Sequence, residues 1–509
     1  LPEQVYLESL LSEVEGCWDG EKWTQADAWL NPVIGLLDDP ENQRQVPLTV
    51  DLGKEGHLIV YGSPGYGKTT FLQTLIMSLA LNYSPSDVNI YILDFGVRTL
   101  SIFSGLPHVG GTVMVDEEEK LNKLFKFLSK EMDTRKDLFS DKGVSSLTAY
   151  RDSCEEKLPA IVIVIDNYSA FTEMYSEYEE YLIQISREGG NLGIHIVMTN
   201  SGTSSISYKL STNFKLAIAL QMSDKGDYSL IVGRTYGLEP SPVNGRGLVK
   251  GNPPLEFQTA LPAEGESEIE RTIKIKSIIG KISKSWTGPK AKPIPVMPEI
   301  VYYKDLITRD EVKKNLARRP ACVPLGIEEN EMEPCFIDLL ETPHLLVAGD
   351  IQSGKTTFLQ ALTITLALKF SPEKLAIHIF DSSSLGLYAL SQLPHTKTYT
   401  NDGSNINEFA EALQKVIEER KSELNEERIR AGGLINDKEF VLSRQLNIIL
   451  IDDFNDFLQY ADSTTNDLFE RIIKKERNLG ISILAAGYTQ DISSCWDSLA
   501  KALKDMQTG

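Results

Sequence analysis

The strongest constraint on the fold is an internal repeat, because a duplicated segment is expected to form the same structure twice. The run HLIVYG from His57 has a counterpart, HLLVAG, that begins 287 residues later at His344. The run KTTFLQ from Lys68 recurs unchanged from Lys355, at the same spacing. A period of this length far exceeds the roughly 20 to 50 residues of solenoid repeats. The sequence therefore predicts two tandem copies of one globular domain.

The repeat divides the chain into four predicted segments. We expect a helical lead-in over 1–30, a first domain over 31–262, a helix followed by a proline-rich linker over 263–320, and a second domain over 321–509. The run GPKAKPIPVMP from Gly288 is incompatible with a helix interior or a central strand, and it indicates a semi-rigid linker. The second copy is shorter, and we expect it to lack counterparts of the strands predicted near 247–249 and 255–257. Either the chain is cut there or something else completes that edge.

Each copy alternates apolar runs of strand length with helical patterns. In the first copy, strands are predicted at 57–61, 88–93, 160–165 and 194–198, and helices at 69–81, 117–139 and 176–186. Nearly continuous, β-branched runs are typical of strands that are buried on both faces of a sheet. The predicted fold class is therefore α/β, with central, mostly parallel sheets flanked by helices.

Both copies carry a G-x-x-x-x-G-K-[ST] phosphate-binding loop between a predicted strand and a predicted helix. The candidate nucleotide-binding residues are Gly62, Ser63, Pro64, Gly65, Tyr66, Gly67, Lys68, Thr69 and Thr70 in the first copy, and Gly349, Asp350, Ile351, Gln352, Ser353, Gly354, Lys355, Thr356 and Thr357 in the second. Glycines let backbone N–H groups converge on a phosphate, and the helix amino terminus adds positive charge. We expect the lysines to contact the β- and γ-phosphates of ATP, and the hydroxyls of Thr69 and Thr356 to hold Mg²⁺. A duplicated loop can also persist after nucleotide binding is lost, and the sequence leaves that alternative open.

The second element of each predicted metal site is an aspartate at the end of a buried strand. Asp166 and Asp452 lie about 97 residues after the respective lysines and are placed to complete the Mg²⁺ shell. An ordinary solvated aspartate at a strand end is the alternative reading.

The residue after each aspartate occupies the position where hydrolytic enzymes of this type place a water-orienting base. That residue is Asn167 in the first copy and Asp453 in the second. Asn167 cannot accept a proton at neutral pH, and Asp453 is one methylene shorter than glutamate. Because a displacement of about 1 Å can cost roughly 10²-fold in rate, we expect nucleotide binding with slow or conditional turnover, and Asp453 as the candidate catalytic base.

The composition indicates which classes of partner and which cellular environment fit the chain. The chain has 51 Lys and Arg against 72 Asp and Glu, a net charge of −21, which disfavours nucleic acid as a partner because affinity for DNA depends on basic side chains. The five cysteines contain no C-x-x-C, so neither a disulfide framework nor a zinc site is indicated. No apolar run is long enough for a membrane helix. Because the chain starts at Leu1, we expect a fragment whose membrane contact lies in segments outside it.

Several motifs together resemble the FtsK/SpoIIIE-type motor ATPases. Glu131-Met132-x-x-Arg135 resembles that family's E-M-x-x-R, and the run REGGNLGIH from Arg187 resembles R-E-G-R-x-x-G-I-H. Thr199-Asn200 stands where the family has T-Q, and Thr489-Gln490 is interpreted as the second copy's version. Gly190 replaces the second arginine of the run, whereas Arg477 occupies that place in the second copy. The R-P that follows T-Q in the family is absent from both copies.

Tandem, degenerate copies in an acidic chain resemble the coupling ATPase of type VII secretion systems, the EssC/EccC family. The resemblance implies two RecA-like P-loop domains with the additional strand, which bind ATP and Mg²⁺ at the cytoplasmic face of the bacterial membrane. It also implies export of small helical-hairpin proteins of the WXG type, contact with other membrane components of the system, and self-association into rings. Arg187 and Arg477 are candidate catalytic arginine fingers that reach a neighbouring nucleotide, with surface ion pairs as the equally weighted alternative.

Two other functions remain open from the sequence. In one, nucleotide only stabilises the fold, and a groove on the second domain binds the C-terminal segment of a substrate as an amphipathic helix. In the other, the chain is a double-stranded DNA translocase, which the net charge disfavours.

Overall fold

A computed structural model describes residues 1–12, 18–24, 28–329, 332–381, 385–402, 405–433 and 435–505. The chain divides into two compact units, Leu1–Val296 and Met297–Gly509. Both units have a central sheet with flanking helices, which confirms the predicted α/β class. Within the described residues, no helix combines the length and the apolar character needed to cross a membrane.

The strands of the first unit belong to one sheet in the described part of the chain, in the order β2-β1-β10-β9-β8-β3-β7-β6-β4-β5. They are β1 (Val33–Asp39), β2 (Arg44–Thr49), β3 (Leu58–Tyr61), β4 (Val88–Asp94), β5 (Val109–Met114), β6 (Ala160–Asp166), β7 (Ile194–Asn200), β8 (Leu216–Leu220), β9 (Arg246–Val249) and β10 (Leu255–Thr259). The part from β8 to β5 is parallel, and β4, β6 and β7 are buried at every residue. Continuous apolar runs thus form the sheet centre, as the sequence predicts.

The other side of this sheet is antiparallel and was only partly predicted. β9 and β10 confirm the strands expected near 247–249 and 255–257, and β1 and β2 continue the sheet beyond them. The amino-terminal segment of the chain pairs with the residues that follow β10. The N–H of Leu7 donates to the carbonyl of Leu261 at 2.9 Å, and the N–H of Leu261 donates to the carbonyl of Val5 at 2.7 Å.

Helices pack against the first sheet. They are α1 (Leu7–Leu11), α2 (Leu52–Glu55), α3 (Lys68–Asn82), α4 (Glu118–Lys142), α5 (Leu147–Ser153), α6 (Tyr168–Met174), α7 (Glu179–Leu192), α8 (Tyr208–Ser211), α9 (Gly226–Val232) and α10 (Glu268–Ser285), with short 3-10 helices at Leu100–Gly105 and Ser176–Tyr178. α3 is apolar around most of its circumference because it is buried between the sheet and its extension.

One buried arginine ties together the amino ends of central strands in the first unit. Arg135 of α4, only 1% exposed, donates to the carbonyl of Leu192 and to that of Pro159, each at 2.8 Å, and pairs with Glu131. In the second unit Arg420 donates to carbonyls at corresponding places. The arginine of the E-M-x-x-R motif is therefore a structural cross-link.

The proline-rich segment after α10 packs on the first unit. The N–H of Ala291 donates to the carbonyl of Pro107 at 2.9 Å, and that of Ile294 donates to the carbonyl of Gly110 at 3.1 Å. The Tyr91 hydroxyl donates to the carbonyl of Lys292 at 2.8 Å. This part of the predicted linker is thus held along the edge of β5 and the turn before it.

The second unit contains a parallel sheet in the order β13-β17-β16-β14-β15 and a separate hairpin, β11-β12, among the residues described. The strands are β11 (Cys322–Ile327), β12 (Pro334–Asp338), β13 (Leu345–Gly349), β14 (Leu375–Phe380), β15 (Thr396–Thr400), β16 (Leu446–Ile451) and β17 (Ile481–Tyr488). The helices are α11 (Tyr303–Thr308), α12 (Asp310–Arg318), α13 (Lys355–Lys369), α14 (Ile406–Arg430), α15 (Asp437–Ser443), α16 (Phe454–Tyr460), α17 (Ser463–Lys475), α18 (Thr489–Ser494) and α19 (Ser498–Lys504), with a 3-10 helix at Tyr388–Gln392.

Candidate functional site

Each phosphate-binding loop joins the carboxyl end of a parallel strand to the amino end of a 15-residue helix. The first loop connects β3 to α3, and the second connects β13 to α13. Gly67 and Gly354, directly before the helices, have φ of 95° and 90°, a left-handed conformation that glycine adopts without strain. Gln352, at the position of Gly65, adopts φ of 63° with a side chain present.

The loop lysines lie folded over the start of their own loops. Lys68 donates from Nζ to the carbonyls of Gly62 and Ser63. Lys355 donates to the carbonyls of Gly349 at 3.0 Å and Asp350 at 2.7 Å. Burial lowers the pKa of Lys68, and the Asp166 carboxylate acts in the opposite direction.

The threonine and the aspartate predicted for each metal site are in contact. Thr69 donates from Oγ1 to Oδ2 of Asp166, and Thr356 donates to Oδ1 of Asp452, both at 2.9 Å. Burial raises the pKa of Asp166, which is 2% exposed, while hydrogen bonds from two threonines lower it. Hard oxygen donors at the end of a loop rich in backbone N–H groups fit the ligand preferences of Mg²⁺.

A further hydroxyl, that of Thr199, holds the first aspartate, and alanine occupies its strand position in the second site. Thr199 donates to Oδ1 of Asp166 at 2.7 Å and accepts the N–H of Asn167 at 2.8 Å. In the sheets, Tyr61 pairs with Asn200, and its counterpart Ala348 pairs with Gly487. By this register Ala486 stands at the position of Thr199.

The interpretation of Thr489-Gln490 as the second copy's T-Q pair is therefore wrong. These residues begin α18, beyond the end of β17, and do not occupy the strand positions of Thr199 and Asn200. The error arose because both pairs follow an apolar run, whereas strand register fixes which residue stands next to the aspartate.

The residues at the predicted base position have other partners. Asn167 has φ of 65°, and its side-chain amide donates to the carbonyl of Phe95 at 3.4 Å. Asp453 is the N-cap of α16, and its Oδ1 accepts the N–H groups of Asn455 and Asp456 at 3.0 and 3.1 Å. Asp453 nevertheless lines a cavity of about 280 Å³ together with residues of the second loop.

A second carboxylate, that of Asp94 at the end of the neighbouring strand, adjoins the first aspartate. Asp94 pairs in register with Asp166 and accepts the N–H groups of Gly96, Arg98 and Leu100. A Cβ added at Gly96 would lie 2.5 Å from Oδ2 of Asp166. A side chain at this position would therefore force the Asp166 carboxylate to move.

The candidate arginine fingers lie at the amino ends of the loop strands, away from the loop of their own unit. Arg187 is exposed on α7, next to Ser186, which interacts with His57 before β3. Arg477 is also exposed, and its charge acts on His344 before β13. The structure thus does not bring either arginine to the loop in its own unit, and contact with a neighbouring nucleotide stays a prediction.

The connection after β8 also contacts the first loop, a contribution that the sequence analysis missed. The N–H of Ser63 donates to the carbonyl of Gln221 at 2.7 Å, and the hydroxyls of Ser63 and Ser223 lie 2.7 Å apart. The N–H of Gly245 donates to the carbonyl of Tyr66 at 3.2 Å. No local sequence motif marks these residues as neighbours of the loop.

Fold and site together define a tandem pair of P-loop ATPase domains. The FtsK/SpoIIIE family matches residues 21–235 and 306–440, and the chain belongs to this family.

Its relatives include secretion proteins. The chain is 29% identical to the ESX secretion system protein YukB of Bacillus subtilis (strain 168) and 30% identical to the ESX secretion system protein EccC of Geobacillus thermodenitrificans (strain NG80-2), in each case over 93% of this chain and 31% of the relative. The chain thus spans about a third of the length of these curated relatives.

Solved structures share the tandem architecture. ATPases 2 and 3 of EssC from Geobacillus thermodenitrificans superpose with a TM-score of 0.83 at 27% identity, covering 99% of this chain and 90% of that one. ATPases 2 and 3 of Thermomonospora curvata EccC, in complex with a signal sequence peptide, give a TM-score of 0.63 at 23% identity, covering 99% and 90%. The second comparison supports the fold alone.

Proposed function

We propose that this chain is the ATPase-domain pair of a type VII secretion translocase, which binds ATP with Mg²⁺ at both loops and couples binding to recognition and export of small helical proteins. The observation that carries the proposal is the same arrangement in both units, a loop lysine with a threonine that contacts a strand-end aspartate. Homology to EssC and EccC supplies the secretion context.

The chain's own residues have distinct parts in this proposal. Loop N–H groups and the helix amino termini bind the phosphates, and Lys68 and Lys355 neutralise them. Thr69 with Asp166, and Thr356 with Asp452, hold Mg²⁺, which when bound neutralises phosphate charge. Because each threonine already contacts its aspartate, the oxygen atoms that would hold Mg²⁺ lie together before binding.

Separate lysine variants test nucleotide binding at each site. We expect Lys68→Ala and Lys355→Ala each to remove one equivalent of ATP binding in calorimetric titration, because each deletes the cation of one loop. Exposed lysines provide matched controls, Lys276→Ala in the first unit and Lys415→Ala in the second. Full stoichiometry in both loop variants would refute the proposal.

We propose that hydrolysis at these sites is weak. The observation is that both residues at the base position already have partners. The Asn167 side chain donates to a backbone carbonyl, and the Asp453 carboxylate accepts N–H groups at the amino end of a helix. Phosphate release should therefore be slow at saturating ATP, and the slow rate should fall further in Lys355→Ala. Fast turnover that both lysine variants abolish would contradict this reading.

A second candidate function is a nucleotide-stabilised binding module. It is favoured by the same engaged residues at the base positions, and by the peptide complex known for the related EccC chain. In this case ATP raises the melting temperature, a WXG-type substrate's C-terminal peptide binds with equal affinity with and without ATP, and turnover is absent. Peptide affinity that changes with ATP would instead favour coupling.

Contact with membrane components and assembly into rings are further parts of the translocase proposal.

A further inference from the structure

The ammonium group of Lys355 lies over an aromatic ring as well as against its loop. Its Nζ is 4.5 Å from the centroid of the Tyr488 ring, while two of its N–H donors are directed to the carbonyls of Gly349 and Asp350. Tyr488 is 37% exposed and lines the same cavity as Lys355 and Thr356. Tyr488 is therefore in direct contact with the loop lysine of the second candidate nucleotide site.

Strand register places Tyr488 next to the loop of the second site and Ser201 at the corresponding position of the first site. Gly349 pairs with Tyr488 at the carboxyl ends of β13 and β17. In the first sheet Tyr61 pairs with Asn200, so that Ser201 follows opposite Gly62. Both lysines contact two carbonyls of their loop, but serine has no π face to attract a cation. Among the residues that the structure describes, the ring contact thus distinguishes Lys355 from Lys68.

We propose that Tyr488 is a positioning residue that lowers the affinity of the second site for ATP by holding Lys355 away from the phosphates. The inference rests on the proposed nucleotide binding at this loop. The ammonium group has three N–H donors, and the carbonyl, ring and phosphate contacts all compete for it. A cation–π contact at an exposed site corresponds to a factor of about 2 to 5 in an equilibrium constant. The second site is therefore weaker than it would be with serine at position 488.

The experiment isolates the second site in a Lys68→Ala background and titrates it with a methylanthraniloyl derivative of ATP in the presence of Mg²⁺. We expect Tyr488→Ser to raise the affinity about 2- to 5-fold, since it removes the ring contact. Tyr488→Phe retains the π face and should bind as the parent does. The reciprocal change, Ser201→Tyr in a Lys355→Ala background, should weaken the first site by a similar factor.

The outcomes separate this inference from the function on which it rests. Saturable binding that Tyr488→Ser leaves unchanged would overturn the role of Tyr488 alone. Weaker binding in Tyr488→Ser would also overturn it, because the ring would then contact the nucleotide favourably. Absence of saturable binding in the Lys68→Ala background would overturn both statements. Melting temperatures of all variants show whether each is folded, and the Ser201→Tyr arm does not depend on the stability of Tyr488→Ser.

Discussion

The hydroxyl of Thr199 offers a sharp test of how the first site is built. Thr199→Val removes a donor to Asp166 at 2.7 Å and an acceptor for the N–H of Asn167 at 2.8 Å, and it leaves the shape of the side chain nearly unchanged. Thr199 and Asp166 are 0% and 2% exposed, so water cannot replace the lost partner. A hydrogen bond to a charged group contributes about 1.5 to 3 kcal/mol. We expect the first unit to be destabilised by that amount.

For a unit of this size, about 1 kcal/mol corresponds to a change of about 2 °C in melting temperature. Scanning calorimetry should therefore show the first unit's transition lowered by roughly 3 to 6 °C. ATP with Mg²⁺ should also bind more weakly at the first site, measured in a Lys355→Ala background, because Asp166 keeps one hydroxyl donor, that of Thr69. The second unit, with Ala486 at this position, should be unaffected.

Thr199→Ser is the matched control, since it keeps the hydroxyl and loses the methyl group. It should retain most of the stability and nucleotide affinity. If Thr199→Val melts and binds as the parent does, the hydroxyl does not hold Asp166. If Thr199→Ser is as damaged as Thr199→Val, the methyl packing and not the hydrogen bonds is responsible.

Three further results are expected. Gly96→Ala should weaken Mg²⁺-dependent ATP binding at the first site by tenfold or more in titration, because the added Cβ would lie 2.5 Å from Oδ2 of Asp166 and displace it; unchanged affinity would contradict this. Arg135→Met should cost about 3 to 5 kcal/mol in urea denaturation, since it leaves Glu131 and two carbonyls without their buried partner, whereas Lys126→Met on the exposed face of the same helix should cost little. Burial lowers the pKa of His57 to about 3, so the unfolded chain binds its proton first as pH falls. Stability should then be complete above about pH 6.5 and decline below it by roughly 1.4 kcal/mol per pH unit for this histidine; a melting temperature independent of pH between 7 and 5 would refute this, and His57→Gln should reduce the slope.

The parts of the site that the sequence predicted are those that a short segment encodes by itself. A phosphate-binding loop between a strand and a helix needs glycines and a lysine at fixed spacing, so the positions of both loops could be predicted from the sequence alone. Asp166 and Asp452 could be predicted because a buried parallel strand is recognisable and the residue at its carboxyl end, or directly after it, must lie at the same sheet edge. Their contacts with Thr69 and Thr356 agree with that reasoning.

The remaining features depend on pairings between distant segments. Thr199 and Ala486 could not be matched without strand register. For that reason the prediction that Thr489-Gln490 is the second copy's T-Q pair was wrong. Tyr488 carries no motif, and its position over Lys355 arises from the pairing of β13 with β17.

Two features of the fold were missed on similar grounds. The proline-rich segment is attached by backbone hydrogen bonds at Ala291 and Ile294. Such bonds do not depend on the side chains, so the pattern of residues does not predict them. The antiparallel extension includes β1 and β2, which contain polar and half-buried residues and therefore lack the continuous apolar runs that marked the central strands.

The path of the chain through the first unit has a mechanical consequence. Near its amino end, backbone hydrogen bonds join Val5 and Leu7 to Leu261 after β10, whereas the unit continues through α10 to Val296 and its last segment is held along β5. In the sheet, β10 and β5 lie on opposite sides of β3. A pulling force applied to the chain on both sides of the unit would therefore cross the parallel strands, including β3, whose carboxyl end leads into the loop at Lys68. Tension on the chain would thus load the candidate nucleotide site directly.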